Sequence, residues 1–385
     1  MKTVRIETGG LIISNGMKII SLLLFLLVAF PVSAQVTYEE LQAIVPARVE
    51  AILDEQVRDI MGTDATTVMQ TVSARLLEGD HADEIITFEN DLVTLGEGDR
   101  IFLSHIRDIN GTEMYLLKDV DRGSGLVFLL LLFIALLLLF AGWQGARALG
   151  SLVLSIFGIV FVLLPAILAG YDPILMSLLI SGVILAFALF GTHGFNALST
   201  IAFCGTVSAV LVTSVVAWWF VDMLRLSGYG SDASVYLNFA TRGELDLAGL
   251  LLGSIIIGVL GVLDDISITQ ASVVRELRAA NSALNPFELY YRAIKVGRDH
   301  VGSLVNTLAL AYVGAALPLV LLFSTSNSPL YFTLNQEVIA AELARILIGS
   351  IGLILAVPLT TVAAAWWFGR REVDNSLGGH YHHHH

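Results

Sequence analysis

The sequence predicts a polytopic α-helical membrane protein of about seven spans, with a small β-rich, barrel-like extracytoplasmic domain on its N-terminal side. Three observations carry this prediction: an apolar composition with few charges, one strongly acidic segment, and a lopsided distribution of arginine and lysine among the loops. The chain is 56% hydrophobic and 14% charged, with a mean hydropathy of +0.78. An ordinary soluble domain has roughly a quarter of its residues charged, so the membrane class is favoured before any segment is read. The single cysteine, Cys204, excludes an intrachain disulfide and reads as a buried, inert thiol.

From the N-terminus, residues 1–34 read as a secretory signal with an upstream extension. The signal proper starts at Met17. Lys18 is its positive flank, Ile19 to Phe30 its apolar region and Val32-Ser33-Ala34 its cleavage site, which makes Gln35 the expected mature terminus.

Residues 35–122 form the acidic segment, with 19 Asp and Glu against 7 Lys and Arg, so it carries nearly all of the chain's net charge of −13. The alternating runs "RIFLSHIRDI" and "TEMYLLKDV" flank Asn110-Gly111, a hairpin signal that also lies in a glycosylation sequon. A helical stretch is expected near residues 38–60, ahead of the strands.

Residues 123–369 read as the transmembrane domain, with spans near 124–142, 149–169, 174–191, 197–221, 246–266, 301–323 and 343–367. With the acidic domain outside, the inner loops carry Arg147, Arg275, Arg278, Arg292, Lys295, Arg298, Arg370 and Arg371. The outer loops carry only Arg225 and Arg242. The positive-inside rule expects this asymmetry, and it emerges only from an odd number of spans. Thr241 to Glu244 fits a capping box for the fifth span, and Asn285-Pro286-Phe287-Glu288 fits a second helix start. Residues 271–300 read as an amphipathic segment in the cytoplasmic interface. Residues 370–385 form a cytoplasmic tail whose end, "GGHYHHHH", is either a metal-binding tract or an added tag.

Ionisable residues at membrane depth are expensive and commonly mark a pathway or a paired site. Asp264 and Asp265, near the end of the fifth span, are the principal candidates. Ser267, Thr269 and Gln270 add uncharged polar groups in the next turn, and Asn306 and Thr307 start the sixth span at similar depth. Together these seven residues would make an oxygen-rich site for a hard cation or a proton. The plainer reading is that the acids end a membrane segment, with Asn306 and Thr307 bonding between helices. Glu342 and Arg345 read as an intrahelical ion pair, Gly253, Gly258 and Gly261 as close-packing positions, and His193 as a solvated loop residue. An intramembrane aspartyl protease would need Asp172 and Asp264 to meet, yet the topology puts them on opposite sides of a core roughly 30 Å thick. Walker A, dinucleotide and zinc-helix motifs are absent, so neither an enzymatic activity nor a cofactor is expected.

Three stretches resemble the YibE/F family of bacterial multi-pass membrane proteins. They are "LKDVDRGSGLVFLLLLFIALLLLFAGWQGARALGSL", "LPAILAGYDPI", and "GVLDDISITQASVVREL" followed by "GRDHVGSLVNTLALAYVGAALP". The resemblance implies a polytopic protein of the bacterial cytoplasmic (inner) membrane with a β-rich outer segment; the loop charges put its N-terminal domain outside and its C-terminus inside. It implies no particular reaction. The leading expectation is a secondary permease for a small solute or ion, coupled to a cation or proton. The alternative is a non-transporting envelope scaffold or regulator that recruits a partner through its outer domain. Expected partners are the lipid bilayer, a small solute or cation, and either a second copy or another envelope protein, but no nucleic acid.

Overall fold

A computed structural model describes residues 42–59, 66–79, 81–107, 113–325 and 328–370. The expected signal, the Asn110-Gly111 turn and the histidine-rich tail lie outside these residues. The described chain falls into two compact units that meet between Phe140 and Ala141.

The first unit carries five strands: β1 (Gln42–Asp59), β2 (Thr66–Leu76), β3 (Ile85–Asn90), β4 (Arg100–Arg107) and β5 (Glu113–Val120). They form one antiparallel sheet ordered β3-β2-β1-β4-β5, which curls until β3 and β5 touch, giving a half-barrel. Strand β1 organises the sheet. Its first half pairs with β4 from Gln42 to Arg48, its second half pairs with β2 from Ala47 to Asp59, and two register shifts between Val49 and Asp54 bend it.

This strand overturns the helix expected near residues 38–60. Pairing with β4 along its first half and with β2 along its second supplies its backbone hydrogen bonds, outweighing a weak local helix propensity. Pro46 has no N–H for a helix interior, whereas its carbonyl accepts a bond from Leu77 N at 2.8 Å. Alternate residues of β1, β2 and β4, among them Ala47, Val49, Val72, Ala74, Leu76, Ile101 and Leu103, turn inward and form the core with Phe88, Leu95 and Leu117. Gln70 is buried there with its polar capacity used: its Oε1 accepts from Leu95 N at 2.8 Å and its Nε2 donates to Leu95 O at 3.1 Å.

Helix α1 (Gly123–Gly158) leaves the sheet and is interrupted at Gly142, whose φ of 54° and ψ of −133° are not helical. A π-helical turn (Ile159–Leu163) and the short α2 (Leu164–Leu168) continue it. There follow α3 (Pro173–His193), α4 (Ala197–Met223), α5 (Asp232–Ala240), α6 (Leu247–Ala280), α7 (Pro286–Ala315), α8 (Leu317–Ser324), α9 (Leu330–Asn335) and α10 (Glu337–Arg370). Among the described residues, five helices are long and apolar enough to cross a membrane. The number is six if α7 and α8, bent by 66° at their junction, count as one span. That bend falls at Ala316, just before Pro318, inside the sixth span expected from the sequence.

The second unit is built around α4, α6 and α10, with α3 against α6 and α7 against α10. Ile256, Val259, Leu260, Leu263 and Ile266 of α6 fill its centre with Leu353, Ala356 and Val357 of α10. Glycines set the spacing. A Cβ on Gly253 would lie 3.3 Å from Ser177 Cβ, and one on Gly258 would meet the Tyr312 hydroxyl, so both are close-packing positions as expected. Gly261 faces open space instead. Cys204 is exposed on α4 rather than buried, on a helix whose opposite face carries the core contacts.

The second helix start follows the sequence closely. Asn285 caps α7 by accepting from Glu288 N at 2.9 Å, and Glu288 Oε2 accepts from Asn285 N at 3.0 Å. The first start differs: Thr241 ends α5, and Asp246 caps α6 by accepting from Gly249 N at 2.9 Å. Residues 271–300 divide between the end of α6 and the first half of α7.

Candidate functional site

Helix α6 does not stop at its two acids. It runs 34 residues, with Asp264 and Asp265 in its middle. Leu260, Gly261 and Ile268 share one face with them and line a cavity of about 390 Å³. The opposite wall comes from Ala148, Ser151, Leu152 and Ser155 of α1. The end of α3, with Ala188, Thr192 and His193, forms the third side. Gly261 contributes by having no side chain: the space a Cβ would occupy is open. Asp264 is half-buried and Asp265 exposed, yet both carboxylates belong to the same cavity.

His193 reaches this place through a rigid turn. Gly194, at φ 77°, ends α3 with its N–H bonded to Phe190 O at 3.0 Å. Asn196 then caps α4, accepting from Ser199 N at 3.0 Å, while its amide donates to His193 O at 2.8 Å. Phe195 stacks on Phe190 with ring centroids 4.7 Å apart, which pins the turn against the helix. The histidine expected to be a solvated loop residue is exposed, as expected, but it is the last residue of a helix and lines the cavity. On α1, the Ser155 hydroxyl donates to Ser151 O at 2.8 Å, leaving its oxygen lone pairs free to face the space.

The remaining expected site residues lie elsewhere. Ser267 is fully buried and its Oγ accepts from Thr360 Oγ1 of α10 at 3.2 Å. Gln270 is also buried, donating to Ala293 O of α7 at 3.0 Å and to Thr361 Oγ1 of α10 at 2.8 Å. Both tie helices together, and neither lines the cavity. Thr269 is exposed. Asn306 and Thr307 are exposed on α7 and do not line the cavity; the Thr307 hydroxyl bonds back to Ser303 O at 3.0 Å. Ser151, Ser155, Thr192 and His193 take their place. Small hydroxyl residues on apolar helices resemble packing residues in a sequence, so nothing local set Ser151 and Ser155 apart.

Two carboxylates, one imidazole and three hydroxyls give the cavity oxygen ligands and titratable groups, with acidic charge dominant. That set suits a hard cation or a proton in transit. Among the described residues, no three acidic, histidine or cysteine side chains are grouped so that they could hold a metal ion. Two larger grooves, of about 670 and 740 Å³, lie on the sheet unit beside Arg48, Arg100, Asp99 and Asp121. They are open surface features whose basic and acidic groups offset one another, and the smaller cavity between helices has the more distinctive chemistry.

The protease geometry fails. Asp172 caps the beginning of α3, accepting from Leu175 N at 2.7 Å, while His193 at the other end stands beside Asp264. A helix of 21 residues separates the two aspartates by roughly 30 Å. The Glu342–Arg345 ion pair forms within α10, as its spacing predicts.

A family model described as YibE/F-like protein matches residues 129–370, which takes in nearly all of the helical region. No curated protein and no solved structure matches the chain.

Proposed function

The chain belongs to the YibE/F-like family, and from that premise we propose that it is a secondary permease moving a small solute or ion, coupled to a cation or proton. One observation carries the reading: Asp264 and Asp265 share a cavity between helices with His193, Thr192, Ser151 and Ser155. Asp264 is the carrier of the coupling ion and Asp265 its electrostatic partner; the hydroxyls complete the ligand set. No enzymatic step is needed.

The same proposal places the chain in the cytoplasmic membrane with its sheet unit outside and its C-terminus inside. The run from Gly123 to Leu168 is 46 residues long, roughly 69 Å as a helix, which is about twice what one crossing needs. The break at Gly142 divides it into two crossings, and with α7 and α8 as one bent span the total is seven. An odd total keeps the arginine-rich loops on the inner side.

Ion-driven solute flux in proteoliposomes tests the reading. Asp264→Asn with Asp265→Asn should abolish coupling to a proton or cation gradient, and unchanged flux in that variant would refute it. The separate acidic sheet unit, with its own core, favours a second reading in which the chain recruits a cationic partner without transporting. Deleting residues 35–122 separates the two: a permease keeps flux, whereas a scaffold loses its partner.

A further inference from the structure

We propose that the exposed face of α7 binds the phosphate of an anionic phospholipid between Arg292, Lys295 and Arg298. The site requires α6, α7 and α10 to cross a bilayer, and it is independent of the helical cavity and of any transport through it.

Spacing puts the three side chains on one surface. They follow at intervals of three residues, so each lies about 60° around the helix and roughly 4.5 Å along it from the last. Ala293 and Gly297, buried, turn the other side of α7 to its neighbours: Ala293 O accepts from Gln270 Nε2 of α6, and a Cβ on Gly297 would lie 2.6 Å from Val357 Cγ1 of α10. Arg292, Lys295 and Arg298 are exposed, and among the described residues none of them has an ion-pair partner. Like charges one helical turn apart repel. The nearby acids do not relieve them: Glu288 Oε2 accepts from Asn285 N at 3.0 Å in the helix cap, and Asp299 makes no ion pair. Other basic groups at this end are committed. Arg275 pairs with Glu276 at 3.1 Å, Arg278 donates to Ser282 O and Leu284 O, and Arg370 covers the Trp366 ring at 4.4 Å. A phosphate lying across the three free cations would offset their repulsion.

Contacts between helices set their depth. Gln270 lies 24 residues past the Asp246 cap, roughly 36 Å along α6, and its bond to Ala293 O places Ala293 at that level. A Cβ on Gly349 of α10 would lie 2.7 Å from Val259 Cγ1 and 3.2 Å from Leu308 Cδ2. Leu308 is therefore level with Val259, roughly 20 Å from the cap, and α7 runs back toward it. Measured from either level, Arg298 falls roughly 28–35 Å from the cap, with Lys295 and Arg292 one and two turns farther out. Counted from the cap, an apolar core ends at about 30 Å and the headgroups occupy roughly the next 5–8 Å. Arg298 and Lys295 stand in that layer, and the long Arg292 side chain reaches back into it.

Toward the interior the same face changes character in the order that a phospholipid does. Gly302, one turn beyond Arg298, is exposed, and a Cβ there would meet nothing within 4 Å, which leaves room for the glycerol. Val305, Ala309 and Val313 follow at helical spacing and offer an apolar strip to an acyl chain. Basic groups continuous with an apolar strip suit a lipid better than free phosphate or an acidic protein segment, neither of which would use the strip.

Native mass spectrometry of the full chain in detergent tests the site, with phosphatidylglycerol and phosphatidylcholine of identical acyl chains added in equal amounts. A basic residue near a bilayer surface gives about a fivefold preference for anionic lipid, so the parent should retain phosphatidylglycerol at least about tenfold better. Arg292→Gln, Lys295→Gln and Arg298→Gln together should abolish that preference, with lipid-free melting like the parent's because all three are exposed. If the triple variant does not fold, Lys295→Gln alone decides, with a preference reduced about fivefold. A control with Arg48→Gln, Arg58→Gln and Arg147→Gln removes the same charge from exposed positions elsewhere and should keep the preference. Inorganic phosphate at the lipid's concentration should not displace the lipid. No preference in the parent, an unchanged preference in the α7 variants, an equal loss in the control, or displacement by phosphate each overturns the proposal.

Discussion

Helices α4 and α10 meet through two reciprocal glycine–threonine contacts, Gly205 with Thr360 and Thr213 with Gly352. The partners are eight residues apart on each helix, roughly 12 Å, so the antiparallel seam is clamped twice. Replacing either glycine with alanine looks equivalent in sequence, but the neighbours differ. A Cβ on Gly352 would meet Thr213 Oγ1 and lie 2.9 Å from its Cγ2 and 3.2 Å from its Cβ. A Cβ on Gly205 would meet Thr360 Oγ1 and lie 2.9 Å from its Cβ and 3.0 Å from its Cα. Overpacking costs about 1–3 kcal/mol, and alanine in place of glycine returns up to about 1 kcal/mol of helix propensity. Gly352→Ala should therefore destabilise by about 1–2 kcal/mol. Adding Thr213→Ala removes both nearest atoms and should restore stability to within about 0.5 kcal/mol of the Thr213→Ala single variant. Gly205→Ala should cost about 2 kcal/mol, and Thr360→Ala cannot rescue it because the obstructing Cβ and Cα remain. Thermal unfolding in detergent reads this difference at roughly 2–4 °C per kcal/mol. Rescue of Gly205→Ala by Thr360→Ala, or a parental melting temperature for Gly205→Ala, would refute the seam as described.

Gln270→Met should lower stability by about 1–2 kcal/mol through loss of the bonds to Ala293 O and Thr361 Oγ1, and leave the cation dependence of flux unchanged. A shifted cation dependence with parental melting would return Gln270 to the ion site. Tyr115 should ionise at higher pH than an unperturbed tyrosine in an NMR titration of ring-labelled protein, because burial and then Glu113 and Glu84 raise it. With the folded value above the unfolded one, the stability it lends is complete below the ordinary tyrosine range and fades as pH rises through the raised value. Glu113→Gln should move that titration downward; an unmoved resonance would show that Glu113 is not acting on it.

Much of the helical unit was legible because its signals are local. The box at Asn285 and Glu288 is two reciprocal hydrogen bonds within four residues, and the Glu342–Arg345 pair is one helical turn. Strands β4 and β5 were legible from alternation beside a hairpin signal. What failed depended on partners far away in sequence. Strand β1 looks helical until β2 and β4 pair with it, and Gln270 looks like a ligand of Asp264 until Thr361, 91 residues later, takes its amide. The site was half legible for the same reason. The acids stand out in an apolar run, but the wall that faces them belongs to α1 and α3, whose serines resemble ordinary packing residues.

The depth of the site bears on whether the two acids mark a boundary or a function. Helices α3 and α6 begin side by side: a Cβ on Gly249 would lie 3.4 Å from Pro173 Cγ, and one on Gly253 would lie 3.4 Å from Pro173 O. They run parallel from aspartate caps, Asp172 and Asp246, so the two helices are independent rulers from one starting level. Asp264 lies 18 residues beyond its cap and His193 lies 21 beyond its own, which are roughly 27 and 31 Å along the axes. Both lengths match an apolar core of about 30 Å, which would put the cavity at the far edge of such a layer. A boundary alone would account for acids there, but not for an imidazole and three hydroxyls from two other helices lining the same space at the same depth. Nearer its start the α3–α6 seam is tight, with Gly253 packed against Ser177. On the permease reading the cavity is a half-site open toward one side, and transport through it would require that seam to part.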